Sequence, residues 1–529
     1  MKLARTTGVV VLGVEGHLVE IEAHVGQGLP GMTIVGLPDT AVGEARDRAR
    51  TAVLSSGAEW PGTRITVGLS PAALHKRGSG LDLGIAVAVL AATGQVPAAA
   101  AERCVMVGEL GLDGRVRPVR GAVVAAVAAH RAGRDRLVVP AGNLAEAGLV
   151  PGVEVVGVRT LRHLCAVLRG EAVGAALGES DDGPGPDRGG AADPGRGDDP
   201  ELADGRGPDL ADVRGQGAAR RALEIAAAGG HHLSLAGPPG VGKTLLAERL
   251  PGLLPDLDDA AALEVTALRS VAGRLDPGAG LVRRPPFEAP HHTASPVALI
   301  GGGSGSAIRA GLVSLAHRGV LFLDEAPEFD RAVLEALRQP LESGTITVAR
   351  SGHVVRFPAR FQLVLAANPC PCGARSERGD DCSCTAMARR RYAAKLSGPL
   401  LDRIDLRVVV RRPGPVDLDA DRQPEGSAAV RDRVCAARER AVRRLVGTPW
   451  RTNAEVPARA LRTRWTPEPT AHRVLERALA RGTLSLRGAD RALRVAWTLA
   501  DLAGRGRPGP DDVATALGLR GPDASGAAA

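Results

Sequence analysis

The sequence predicts an α/β chain in three folded parts. Three observations carry that prediction. Residues 1–178 alternate strand-like and helix-like hydrophobic patterns. Residues 209–412 resume the alternation around Gly237-Pro-Pro-Gly-Val-Gly-Lys-Thr244, a loop of the kind that wraps a nucleotide's phosphates. Residues 413–520 turn helical and arginine-rich. Between the first two parts, residues 179–208 are rich in Gly, Pro and Asp with almost no large apolar side chain, which predicts an acidic, disordered linker. Residues 521–529 form a short tail.

In the first part, 9–14, 18–25, 32–35 and 65–69 read as strands and 40–55 as a helix. Residues 81–92 are apolar on every face after the turn Gly78-Ser79-Gly80, and 121–132 form an Ala-rich helix, both suited to burial. In the second part, 233–236, 320–323 and 361–366 are short apolar strands, and 243–250 opens a helix directly after the glycine-rich loop. Residues 345–348 and 353–356 read as a hairpin around Arg350-Ser-Gly352. Helices over 428–445, 470–481 and 490–502 make up the last part.

The chain has 529 residues, 44% of them hydrophobic, enough for several cores. No apolar run approaches the roughly 18 residues of a membrane span. The N-terminus has only 9–14 as an apolar stretch, with Glu15, Glu20 and Glu22 close behind, too short and too soon charged for a signal peptide. Seven cysteines, four of them clustered, fit a reduced protein, and we expect a cytoplasmic location. Net charge is +8, unevenly spread. Residues 179–212 hold 11 acidic and 3 basic residues, leaving 64 basic against 48 acidic elsewhere. A basic body suits a polyanionic partner such as DNA, although an Arg-rich composition alone also produces one. Aromatic residues are 2% of the chain, so arginine–phosphate contacts rather than base stacking would have to carry such binding.

Only four lysines occur, and one is Lys243. Gly237, Pro238, Pro239, Gly240, Val241, Gly242, Lys243 and Thr244 form a loop between a strand and a helix, the context in which backbone amides and a helix N-terminus cradle phosphate. Lys243 is expected at the β- and γ-phosphates of ATP and the Thr244 hydroxyl on Mg²⁺. Eighty residues on, the strand Val320-Leu-Phe-Leu323 ends in Asp324 and Glu325. Asp324 is placed to hold Mg²⁺ through water and Glu325 to polarise the attacking water. Another strand ends in Asn368, suited to sensing the γ-phosphate, though Asn before Pro369 is also an ordinary turn starter. In Ser397-Gly-Pro-Leu-Leu-Asp-Arg403-Ile-Asp405, Arg403 is a candidate arginine finger, or else a salt-bridge partner of Asp402 or Asp405. Arg487 is a candidate for nucleotide contact from the helical part.

Taken together these motifs resemble the AAA+ ATPases, with a P-loop ATPase core and a C-terminal helical lid. Finer wording resembles the YifB/ComM family of magnesium-chelatase-like ATPases: Asp209-Leu-Ala-Asp-Val-Arg-Gly-Gln216, Ala289-Pro-His-His-Thr-Ala-Ser295, Ser314-Leu-Ala-His-Arg-Gly-Val-Leu-Phe-Leu-Asp-Glu325 and Asn368-Pro-Cys-Pro-Cys-Gly373. The resemblance implies Walker A, Walker B, sensor 1, finger and sensor 2 roles for Lys243 and Thr244, Asp324 and Glu325, Asn368, Arg403 and Arg487. It also implies a homo-oligomeric ring, usually a hexamer, and ComM-type branch migration of recombination intermediates during transformation. The alternative within the same resemblance is a protein-remodelling ATPase of the magnesium-chelatase type. One departure stands out: 308–313 reads Ile-Arg-Ala-Gly-Leu-Val where the family has Pro-Gly-Glu.

The N-terminal part resembles the ribosomal-protein-S5-like fold of the Lon protease domain, carried by Val107-Gly-Glu-Leu-Gly-Leu-Asp-Gly-Arg-Val-Arg-Pro-Val119. Gly80 falls at the serine position and Val123 at the lysine position of the Lon dyad. Ser79 is one place off, and Lys76 is the nearby lysine. A Lon-like fold without peptidase activity is expected. Finally, Cys370, Cys372, Cys382 and Cys384 put four thiols within fifteen residues. Their one-residue spacing is tighter than the usual zinc knuckle, leaving Zn²⁺ or a reduced Cys-rich loop as the alternatives. His291 and His292 are expected to hydrogen-bond a loop near the ATPase core.

Overall fold

A computed structural model describes residues 2–76, 78–171, 207–276, 278–303, 308–350, 353–374, 382–412, 414, 424–482 and 484–520. The predicted linker, apart from residues 207 and 208, and the tail 521–529 lie outside the described residues.

The N-terminal part is a seven-stranded mixed sheet. Strands β1 (Lys2–Leu12) and β2 (Glu15–Val25) pair antiparallel from Lys2–Val25 to Leu12–Glu15. After β3 (Gly31–Val35) come helix α1 (Thr40–Ser55), strand β4 (Arg64–Ser70), α2 (Asp82–Ala92), α3 (Ala98–Arg103) and β5 (Cys104–Met106). A two-stranded ribbon, β6 (Glu109–Leu110) and β7 (Val116–Arg117), precedes α4 (Ala122–Arg131), β8 (Arg136–Pro140), α5 (Leu144–Ala147), β9 (Glu154–Val158) and α6 (Leu161–Arg169). The sheet order is β3-β4-β2-β1-β5-β8-β9. Every residue of α2 is buried, its apolar run from Leu83 on by packing and Asp82 by an ion pair with Arg48 at 2.7 Å. Strand β1 starts at Lys2 rather than at residue 9. Ala4 and Thr6 alternate inward, and the Thr6 hydroxyl donates to the Gly84 carbonyl at 2.9 Å, so a polar side chain is accommodated in the core.

The central part begins with α7 (Gly217–Gly229), β10 (Leu233–Ala236), α8 (Lys243–Leu253), α9 (Asp259–Ala272), β11 (Phe287–Glu288) and α10 (Pro296–Ile300). A short antiparallel pair, β12 (Gly301–Gly302) and β13 (Arg309–Ala310), is followed by α11 (Leu312–Leu315), β14 (Val320–Leu323), α12 (Arg331–Ala336) and α13 (Arg338–Ser343). The hairpin β15 (Thr345–Arg350) and β16 (His353–Pro358) leads into β17 (Gln362–Ala367), α14 (Ala386–Ala393), α15 (Gly398–Leu401) and β18 (Leu406–Val409). The sheet is parallel, in the order β11-β14-β17-β10-β18. Its central strands are predominantly apolar, β14 entirely so, as expected of a parallel sheet covered on both faces.

Helices α16 (Ser427–Arg444), α17 (Ala458–Thr463), α18 (Pro469–Ala480), α19 (Leu486–Leu502) and α20 (Pro510–Arg520) complete the fold. They do not form a separate core. Val434, Leu493 and Val513 share one apolar cluster with Ala222, Leu233 and Leu246 of the sheet layer. A buried polar thread crosses the same boundary: His231 Nε2 lies 2.7 Å from Thr498 Oγ1, and Arg438 donates to the Ala227 carbonyl at 2.8 Å.

The N-terminal part packs against the central one. Ala267 of α9 lies in the apolar cluster around α4, and the Ser270 hydroxyl donates to Glu146. At a second contact the β1–β2 turn meets the β15–β16 hairpin. Gly13 has φ +63, and a Cβ there would lie 2.5 Å from Val355 Cγ1. Among the described residues, no helix is long and apolar enough to cross a membrane.

Candidate functional site

Strands β14, β17 and β10 are neighbours, so their carboxyl ends bring Asp324, Asn368 and the glycine-rich loop to one edge of a parallel sheet. Open α/β sheets place ligands at that edge. Gly237 opens the loop with its N–H donating to Ala367 O at 3.1 Å. A Cβ at Gly237 would lie 2.3 Å from Val410 O, so the backbone approach leaves room only for hydrogen. Gly242, at φ +89, caps α8 and turns the helix N-terminus toward the loop. From outside, Gln216 clasps it by donating to the carbonyls of Val241 and Arg411.

Lys243 is buried, and its ammonium donates to Gly237 O at 2.7 Å, Pro238 O at 2.8 Å and Asn368 Oδ1 at 3.0 Å. Burial pushes its pKa down, while Asp324 and Glu325 pull it back up. The Thr244 hydroxyl donates to Asp324 Oδ2 at 2.7 Å. Two hard oxygens this close match adjacent corners of an Mg²⁺ octahedron, whose edges are about 3 Å for bonds of roughly 2.1 Å. Asp324 Oδ1 accepts the N–H of Glu325 at 2.8 Å. Glu325 itself has φ +48, a left-handed conformation uncommon for a residue with a side chain, and its carboxylate is exposed. His292 Nδ1 lies 3.7 Å from that carboxylate. His291 instead bonds Thr293 Oγ1 through Nδ1 at 2.8 Å, and the two imidazole rings sit 4.1 Å apart. The sequence placed this pair near the core but carried no signal that His292 would face Glu325.

Arg403 and Arg487 lie elsewhere. Arg403 donates to Pro399 O and to the carboxylate of Glu342 on α13. The sequence-level alternative of a bridge to Asp402 or Asp405 is thereby corrected. Asp405 is taken up by Arg491 at 2.6 Å and His231 at 3.4 Å. Burial lowers the pKa of the Arg403 guanidinium, and Arg338, Arg491 and Arg487 lower it further. Arg487 is exposed in the first turn of α19, with no carboxylate partner among the described residues. No hydrogen bond or ion pair among the described residues joins Arg403 or Arg487 to the cluster around Lys243. Three of these four arginines are ion-paired within the chain, Arg403 with Glu342, Arg338 with Glu335 and Arg491 with Asp405.

The four clustered cysteines also converge. Their sulfurs lie within 4.8 Å of one another. Cys370–Cys372, Cys382–Cys370 and Cys372–Cys382 are separated by 3.4, 3.6 and 3.7 Å. A tetrahedron with Zn–S bonds of about 2.3 Å has edges of roughly 3.8 Å, so the donor set fits Zn²⁺. No disulfide joins any of the seven cysteines.

In the N-terminal part, Ser79 donates its hydroxyl to Glu109 and Lys76 its ammonium to Pro71 O.

Comparison with known proteins agrees with this geometry. Residues 209–417 match the family "Magnesium chelatase, subunit ChlI", residues 21–143 match "Subunit ChlI of Mg-chelatase", and residues 424–520 match "Magnesium chelatase, subunit ChlI C-terminal". An uncharacterized protein of Mycobacterium tuberculosis is 53% identical over 521 residues, covering 98% of this chain and 99% of its own. YifB of Escherichia coli is 42% identical over 492 residues, 93% of this chain and 92% of its own. Competence protein ComM of Haemophilus influenzae is 39% identical over 522 residues, 98% of each chain.

Proposed function

We propose that this chain, which belongs to the YifB/ComM family of magnesium-chelatase-like proteins, is an ATP-driven ring motor that acts on DNA. Its AAA domain of the magnesium chelatase type implies ATP hydrolysis with Mg²⁺. The observation that carries the reading is the convergence of Lys243, Thr244, Asp324, Glu325 and Asn368 at one sheet edge.

In this reading the loop amides and Lys243 hold the phosphates, and Thr244 and Asp324 hold Mg²⁺. Glu325 takes the proton of the attacking water, and Asn368 orients that water. Arg403 and Arg487 approach the nucleotide of a neighbouring subunit in a ring: Arg403 would exchange its Glu342 carboxylate for phosphate, and Arg487 is exposed with no carboxylate partner among the described residues. DNA as the polyanionic track is supported by the basic surplus outside the linker region and by the ComM relative. The hairpin β15–β16 presents Val354 and Arg356 to solvent while Val355 and Phe357 face the core. That alternation suits a finger reaching phosphates in a central pore.

The test is ATP turnover against single-stranded, duplex and branched DNA. Stimulation that falls as salt rises supports the motor reading. Turnover indifferent to every DNA, with no binding at moderate salt, overturns it. A second reading, a protein-remodelling ATPase, is favoured by the magnesium chelatase matches along the chain. Stimulation by a protein partner in place of DNA would establish it.

A further inference from the structure

The cysteine cluster is the one constellation that ATP turnover does not use directly, yet the fold builds it into the nucleotide site. Cys370, fully buried, stands two residues after Asn368 at the end of β17. Asn368 Oδ1 in turn accepts a hydrogen bond from Lys243 at 3.0 Å. Gly373, at φ +72, presses its backbone against the phosphate loop: a Cβ there would lie 2.6 Å from Pro239 Cγ. Cys384 is followed by Thr385, which caps α14 by accepting from Ala388 N at 3.2 Å. That helix carries Tyr392, which is buried. Arg389 of α14 donates back to the Cys384 carbonyl at 3.2 Å. The first arm of the cysteine loop therefore leaves from Asn368 and the second leads into α14.

We propose that Cys370, Cys372, Cys382 and Cys384 bind one structural Zn²⁺, and that this ion braces Asn368 and the Gly373–Pro239 contact of the ATP site. Three observations point to a metal rather than to a reduced loop. The sulfur separations of 3.4 to 3.7 Å match tetrahedral edges. Four thiols crowd together without a disulfide. Cys372 and Cys382, ten residues apart on opposite arms, bring their sulfurs within 3.7 Å of each other. A Cys₄ site has no open position, so the ion holds structure and does not meet ATP. Asn368, Gly373 and Tyr392 are positioned by the ion; they are not its ligands.

The experiment uses the full chain purified under reducing conditions. Zinc is measured by mass spectrometry, and the metal is then replaced by Co²⁺ to read the absorption of a tetrahedral four-thiolate site. We expect about one zinc per chain and the cobalt bands of an S₄ set. C372S with C384S should lose the metal. Its kcat should fall roughly tenfold or more, as in N368A, with a smaller change in KM. Because the double variant can misfold, the wild-type chain is also stripped by a thiol-reactive mercurial. Thiol reductant and zinc are then restored, and kcat should return with the ion. Absence of zinc even after incubation with added Zn²⁺ overturns the proposal, as does a metal whose loss leaves kcat and KM unchanged. The kinetic arm rests on the ATPase reading and the metal arm does not. K243A, expected to be inactive, should keep its zinc, so failure of one reading is distinguishable from failure of the other.

Discussion

Two groups of charges in the central part follow opposite rules. At the strand ends the groups are held by hydrogen bonds: Lys243 has three neutral acceptors, and Thr244, Asp324 and Glu325 are linked through Asp324. Around Arg403, cations gather against one another. Three neighbouring arginines lower the Arg403 guanidinium pKa, and Arg487 has no carboxylate partner among the described residues. One group is assembled by its own fold. The other gathers arginines whose carboxylate partners, Glu342, Glu335 and Asp405, lie away from the phosphate loop, and in the proposed ring it would face the nucleotide of the next subunit.

The sharpest way to break the comparison is R403A. Loss of an arginine finger lowers turnover by about 10³-fold or more, with ATP binding retained. If the two groups belong to different subunits, mixing R403A with K243A restores part of the activity, because some interfaces then pair an intact loop with an intact arginine. A mixture as dead as its components would place both groups on one nucleotide. E325Q tests the strand-end group. Turnover should drop about 10²- to 10⁴-fold while nucleotide still binds, measured by single-turnover hydrolysis beside a binding titration.

Asp405 tests what separates the groups. It is buried between Arg491 and His231, and although burial pushes its pKa up, those neighbours hold it well below the usual carboxylate range. D405A should cost about 3 kcal/mol, read by denaturant unfolding, because it leaves a partly buried arginine without its counter-ion. The sign with pH follows from the lowered pKa. The contribution is complete above about pH 4, the ordinary aspartate value, and is lost as pH falls toward the folded-state value. The acid limb of the stability profile should flatten in D405N. The smallest effect is expected at Arg356. R356A should weaken DNA binding and reduce the salt slope by about 1, with basal turnover unchanged.

Much of the strand-end group was legible in the sequence. Phosphate-loop, strand-end acid and strand-end amide each follow a short apolar run, and a parallel sheet brings such ends together. Equally legible were the buried helix α2 and the hairpin β15–β16. What lay beyond reading was pairing across distance. Nothing near Arg403 announces Glu342, which lies 61 residues earlier, and the adjacent Asp405 was the natural but wrong partner. Nor does spacing tell that His292 meets Glu325, because that depends on how loops cross the sheet edge. Strand β1 was read too short because Thr6 breaks the apolar pattern, and only its bond to Gly84 explains why it is tolerated.

The β1–β2 turn beneath the hairpin has a mechanical consequence. A side chain at position 13 would collide with Val355, so glycine lets the turn and the hairpin pack against each other. Separating them would strip Val14, Val355 and Phe357 of apolar cover, at about 25 cal/mol for each Å² returned to water. The N-terminal sheet thus serves as a buttress for β15–β16.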